Sequence, residues 1–557
     1  MKTFIKSHPA LVAAVLMFFT LTPLMALRDF TPANELRYLN IVDEMISEGN
    51  IFTLTNQGEP YADKPPLYFW LAALLRVILG QHSMYALSLL SFIPAAVIMV
   101  LMDRWLVSAS GGSGRPGFMV RFASAMMLGT SALFVGTSVF LRMDMLMCMF
   151  IVMSLYSFYL LYTGKGNQRL HTFLFPVFVF LALFTKGPVG LLVPPVAVIA
   201  TLAWDGRLRE SGRYLGWRTW GIIALLCAVW FSGVWIEGGR PYLENLLFHQ
   251  TVDRAVDAFH HKEPFWYYMV TIWYILAPYS LALVPVFICS FSRKRPEPAS
   301  GRTDTGTFVR LSAAAVSVTF IMLSFFSSKL AIYLLPVFPF LVYVFSVSVQ
   351  GFRWNGWLAA SLALPSAVFI LAGAAGAAVL ATDCVPEVGG YTFMHSPWIY
   401  AALMSLAAGG AVSIYFLLRQ KTWTTPVISM AASMLLCVLS ASAVIPEAND
   451  YIGYGNLCRT ASSLAHGDDA VETPSSYVTL GVYRPENMNV YLGTGIEDYG
   501  KDTDAYIEAR IGPHILMVKT SLVENDEKLS RRLSGVSHEQ CGGYSVYVMP
   551  GNPGPQS

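Results

Sequence analysis

The sequence predicts an α-helical polytopic membrane protein of about thirteen spans, with amphipathic helices along one membrane face and a small C-terminal α/β domain. Three observations carry this. Only 13% of the 557 residues are charged while 55% are hydrophobic, against roughly 25% charged in a soluble domain. Apolar runs close to bilayer-spanning length recur up to about residue 444, each needing about 20 residues to cross. Every second loop between them is basic.

The runs fall at 9–27, 84–102, 118–140, 144–162, 172–185, 188–204, 219–235, 265–290, 308–326, 330–349, 356–380, 398–418 and 424–444. The fifth and sixth are short and meet at Lys186-Gly187. The first follows Lys2 and Lys6 but lacks a small-x-small cleavage site and continues to Arg28, so it reads as a retained span with the N-terminus inside. The inner loops then carry Arg104 and Arg115, Lys165 and Arg169, Arg207, Arg209 and Arg213, residues 293–302, Arg353, and Arg419 with Lys421. All are basic, as orientation requires. The outer side receives 28–83, the tips at 141–143, 186–187 and 327–329, the loop 237–264, and everything after the last span. A net charge of +2 gives no case for a nucleic-acid partner.

Two domains follow: a membrane-embedded domain over 1–446 and an outer α/β domain over 447–557, where strand-like runs at 477–483, 514–519 and 544–550 alternate with helical segments at 502–510 and 525–533. Cys458 and Cys541 are candidates for a disulfide there. No cysteines have metal-ligand spacing, and there is no phosphate-cradling glycine loop or nucleophile elbow.

Lys64, Arg142, Lys186 and Lys329 stand on the outer face, where basic residues are disfavoured, and each abuts an apolar segment. Two readings stand: each snorkels to lipid head groups, or the set grips one anion, a phosphate. In YADKPPLYFW (61–70) Lys64 precedes Pro65, which extends its backbone and aims the ammonium away from a helix surface. Acids gather on the same face. The segment 31–49 has Ile41, Met45 and Ile46 at helical spacing and reads as an amphipathic surface helix, with Glu35 and Arg37 at its start and Asn34 or Thr31 as cap. Asp144 opens the fourth span, as a helix-dipole partner or as a group for chemistry. His249, His260 and His261 sit in an outer loop before an aromatic entry to the next span; such histidines are solvated, or ligate a divalent metal when an acid joins them.

Taken in order, NELRY (34–38), YADKPPLYFW (61–70), LRMD (141–144), TKGP (185–188), HHKEPFWYY (260–268) and SKLAIYLLPVFP (328–339) resemble the membrane glycosyltransferases of GT-C architecture. Within that class they are most similar to the lipid A 4-amino-4-deoxy-L-arabinose transferases and the related protein O-mannosyltransferases. The resemblance implies that Lys64 contacts the phosphate of a polyprenyl-phosphate sugar donor, with Arg37 and Tyr333 as further donor-site residues; Lys186, Lys329 and Arg142, singled out by their outer-face positions, are the expected companions. It implies a divalent metal (Zn, Mg or Mn) on Asp63 and His261, although the family usually has glutamate at the Asp63 position. Where the family commonly has aspartate beside the reaction centre this chain has Asn34, which cannot act as a base. The carboxylate function then moves to Glu35 or Asp144, or the acceptor needs no strong base.

The expected activity is transfer of a sugar from a polyprenyl phosphate to an envelope glycolipid such as lipid A, in a bacterial inner membrane and facing the periplasm. Transfer to a protein hydroxyl is the alternative. A lipid-linked sugar flippase would need ionisable residues deep in the spans, which are nearly free of them; a non-catalytic lipid-binding scaffold would not need the carboxylates.

Overall fold

In a computed structural model the described residues are 2–111, 116–247, 263–292, 304–351, 354, 356–382, 391–465, 476–493, 495–509 and 511–550. Each of the thirteen apolar runs lies on helix. Nine described helices are long and apolar enough to cross a membrane, and five more apolar helices are shorter. The chain is thus a multi-pass membrane protein. Outward faces of the late helices, such as Leu364, Val368, Leu371 and Leu418, stay exposed, as lipid contact allows.

Proline and small polar residues break the runs. The run 118–140 becomes Phe118–Gly129 and Ala132–Thr137, where Thr130 and Ser131 turn their hydroxyls back onto Met126 and Met127 carbonyls. The run 265–290 splits into Tyr267–Ile275 and Ser280–Ser292 around Pro278, and 330–349 into a short turn, Ala331–Leu334, and the helix Val337–Ser348 after Pro336. Gly187, at φ 108, ends Gln168–Lys186 and starts Pro188–Trp204. These two helices pack so closely that a Cβ on Gly190 would stand 2.3 Å from the Ala182 carbonyl carbon.

One helix corrects the sequence reading. Trp217–Glu244 is longer than the run 219–235, so Glu237, expected in a loop, is helical up to a kink at Gly239, φ 64, just before Pro241.

Described parts of the segments expected on the outer side, within 28–83, 141–143 and the region after 446, share one core. There Glu35–Glu48 is the foreseen amphipathic helix, closed by Gly49 at φ 75. Its apolar face meets protein rather than lipid: Leu36, Leu39 and Val42 share a core with Phe69 and Ala72 of a second helix, Leu67–Leu79, with Tyr454 and Leu457, and with Ile515, Met517 and Val546. The last three lie on a five-stranded sheet ordered Ile496–Asp498, Ser476–Leu480, His514–Lys519, Tyr544–Met549, His538–Cys541. The first three strands are parallel and the last two pair antiparallel. Alternation along the strands sends Val478, Leu480, Leu516 and Val518 to the opposite face, where Leu529 and Leu533 cover them. The chain passes position 446 inside a helix, Ile445–Ile452. Cys458 and Cys541 are free buried thiols, not a disulfide.

Candidate functional site

Lys186 ends one membrane helix and Asp144 begins another, so each charge sits at the helix terminus that favours it. The two ends meet: the Lys186 ammonium ion-pairs with Asp144 Oδ1, with side chains 12% and 4% exposed. The ammonium also stands 4.5 Å from the centre of the Tyr333 ring. Lys64 and Arg142 are close enough to act electrostatically on Lys186. Lys64 itself holds Asp63 at 2.6 Å, and the Tyr61 hydroxyl donates to the same carboxylate at 3.1 Å. Residues from four separate segments thus converge: Asp63 and Lys64, Arg142 and Asp144, Lys186, and Tyr333. Three cations against two carboxylates leave the cluster net positive, a setting for an anion.

Arg37 stands beside this group. It donates to Asn34 Oδ1 at 3.0 Å and lies 5.7 Å from the Tyr61 ring. Asn34 occupies the helix N-cap position but its side chain makes no capping bond. The Glu35 carboxylate instead reaches back out of the helix, accepting from the Thr31 N–H and hydroxyl at 2.8 and 2.9 Å. Its carboxylate also accepts a two-pronged bond from Arg28 at 2.6 and 2.7 Å and the Leu141 N–H at 2.9 Å. Glu35 is 1% exposed. It therefore ties the end of the first membrane helix to the turn that carries Arg142 and Asp144.

Lys329 differs from the other cations. Its ammonium is buried, donating to the carbonyls of Glu263 at 2.9 Å and Phe326 at 2.6 Å. It holds the entry of one helix against the exit of another. His249, His260 and His261 lie outside the described residues. Among the described residues no group of three His, Cys, Asp or Glu could hold a metal ion. Asp63 Oδ2, the one expected ligand that can be placed, is bonded to Lys64 and Tyr61.

Sequence reasoning missed three residues. Arg28 neutralises Glu35, and Glu237 and Tyr242, from the long kinked helix, hold the backbone of the first loop. None carries a motif, because each partner is brought by packing. Two cavities open in the same outer layer: one of about 440 Å³ beside Arg28, Asn449 and Arg459, the other of about 710 Å³ beside Asp43, Arg76 and Asn489.

No family model matches the chain. It is 25% identical to the undecaprenyl phosphate-α-4-amino-4-deoxy-L-arabinose arabinosyl transferase of Shewanella sediminis over 528 residues, covering 92% of this chain and 91% of the relative. To the Edwardsiella ictaluri protein of the same name it is 25% identical, covering 78% and 76%. Among solved structures it resembles ArnT from Cupriavidus metallidurans bound to undecaprenyl phosphate, with a TM-score of 0.71 over 98% of both chains at 16% identity. From end to end, the chain has the GT-C fold of ArnT and is similar in sequence to the aminoarabinose transferases.

Proposed function

We propose that this chain is a glycosyltransferase that moves a sugar, an aminoarabinose by its relatives' names, from undecaprenyl phosphate to lipid A at the periplasmic face of the inner membrane. The observation that carries the reading is that Asp144, Lys64 and Arg142, from separate segments, all come within electrostatic reach of Lys186.

The donor is already activated, since its phosphate leaves as a stable anion. Catalysis then consists of aligning donor and acceptor and meeting the charge that grows on the departing oxygen. Fixed ammonium and guanidinium groups do this in a site of lowered dielectric. Lys64 is assigned to the donor phosphate, Arg142 and Lys186 to its remaining oxygens, and Arg37 and Tyr333 to the walls of the donor site. Asp144 orients Lys186 until the phosphate competes for it. Glu35, saturated by Arg28, Thr31 and Leu141, is a positioning residue rather than a base, and Lys329 a structural one.

A phosphate acceptor, as on lipid A, is anionic at neutral pH and needs no base, which suits Asn34. A protein hydroxyl would need a carboxylate to take its proton, and both carboxylates nearest the turn are engaged. That alternative is not favoured. The test is to incubate purified protein with undecaprenyl-phosphate aminoarabinose and lipid A and read the acceptor by mass spectrometry. Sugar addition that disappears in Lys64→Ala supports the assignment; no addition by the unmodified protein refutes the function.

A further inference from the structure

We infer that Glu237 and Tyr242 are positioning residues that set the place of Lys64, an inference that rests on the donor-phosphate reading above. The loop from Asn50 to Pro66 contains only a two-residue ladder, Thr55–Asn56 with Glu59–Pro60, so its other buried N–H groups need outside partners. Glu237 supplies them. Its carboxylate accepts the N–H groups of Ile51, Phe52 and Thr53 at 3.1, 2.7 and 3.0 Å, and the Thr53 hydroxyl at 3.3 Å. Three consecutive amides on one carboxylate are charge-assisted bonds.

Tyr242 continues the clamp. Its hydroxyl accepts the Leu54 N–H at 2.9 Å and donates to the Tyr61 carbonyl at 3.0 Å, while the Tyr61 N–H reaches the Leu54 carbonyl at 2.7 Å. One phenol thus closes both ends of the loop. From Tyr61 the path to the reaction centre is direct, through its hydroxyl to Asp63 and from Asp63 to Lys64.

The packing is built for this contact. A Cβ on Gly233 would stand 2.6 Å from the Phe52 ring, and one on Gly238 2.6 Å from the Thr53 methyl group. Only glycine lets the helix approach the loop so closely. Trp70 donates to the Ile51 carbonyl at 2.7 Å and stands edge-on to Phe52 and to Phe184. Phe184 lies two residues before Lys186, so both lysines take their positions from one packed unit.

The experiment is a double-mutant cycle in the full-length purified protein. It measures equilibrium binding of undecaprenyl phosphate, steady-state kinetics and thermal unfolding for Glu237→Gln, Tyr242→Phe, Lys64→Ala and the two double variants. We expect Glu237→Gln to weaken undecaprenyl-phosphate binding and raise the donor KM, each about tenfold, with kcat changed less than about threefold, and to weaken binding almost no further in a Lys64→Ala background. Should Glu237→Gln fail to fold, Tyr242→Phe, which removes one hydroxyl, is expected to show the same pattern at smaller size. Unchanged donor KM in a folded variant, or losses that multiply independently of Lys64→Ala, would overturn the clamp. If Lys64→Ala itself leaves donor binding intact, the donor-phosphate assignment fails instead.

Discussion

Lys186 and Asp144 form a buried ion pair between the ends of two membrane helices, with Tyr333 beneath the ammonium. Removing one member of a buried pair strands the other charge, at a cost of about 3–5 kcal/mol. Asp144→Asn is therefore expected to lower the unfolding temperature in detergent. The paired change Lys186→Met with Asp144→Leu should recover most of that stability while leaving sugar transfer absent. A double variant that transfers sugar normally would remove both residues from the reaction.

Glu35 gives a contrasting case, since its carboxylate is fully occupied by donors. Glu35→Gln leaves the Arg28 guanidinium buried without its counter-ion, so a stability loss of about 3 kcal/mol is expected. With Glu35 assigned as a positioning residue, the shape of the pH–rate profile is expected not to change. Loss of a limb of that profile in a folded Glu35→Gln protein would make it the base.

Asp63 bears on the metal question. Its Oδ2 is bonded to Lys64 at 2.6 Å, and a metal there would have to compete with that ammonium. With Lys64, Arg142 and Lys186 assigned to the phosphate in the proposed reading, turnover in EDTA is expected to stay within about twofold of the untreated rate. Loss of activity restored by Zn²⁺, Mg²⁺ or Mn²⁺ would return Asp63 and His261 to the role of ligands.

His514 makes the C-terminal sheet sensitive to acid. It is fully buried, with Nδ1 at 2.8 Å from the Gly512 carbonyl and Nε2 at 3.0 Å from the Tyr506 hydroxyl. Burial pushes its imidazole below the ordinary value of 6.5. The unfolded chain then takes up a proton that the fold refuses. The stability this histidine contributes is present above the ordinary value and lost as pH falls through the folded one. Protease resistance of the C-terminal region should decline from neutral pH towards pH 5 (an order-of-magnitude window set by the reference imidazole). His514→Gln should flatten that decline; an equally steep curve in the variant would locate the sensitivity elsewhere.

Much of the membrane architecture was legible in the chain because hydropathy acts locally. A stretch such as 356–380 has to be helical in lipid, where no water satisfies its backbone, and its residues alone say so. Lys64, Arg142 and Lys186 were legible for a related reason: basic residues on the outer face stand out against the usual charge asymmetry. The same signal picked out Lys329, whose ammonium the fold spends on two carbonyls. Charge and position along the chain do not distinguish a cation that joins the Asp144 cluster from one that bonds backbone carbonyls at a helix junction.

What the sequence by itself determined was the class of protein, its helices and the set of charged residues at one membrane face. The tertiary structure alone decided which of those charges meet. Arg28 finds Glu35 around a turn, and Glu237 finds the Phe52 amide across 185 positions. A hydrogen bond or buried ion pair forms only within about 3 Å, and that closeness comes from helix packing, which no short stretch of residues encodes.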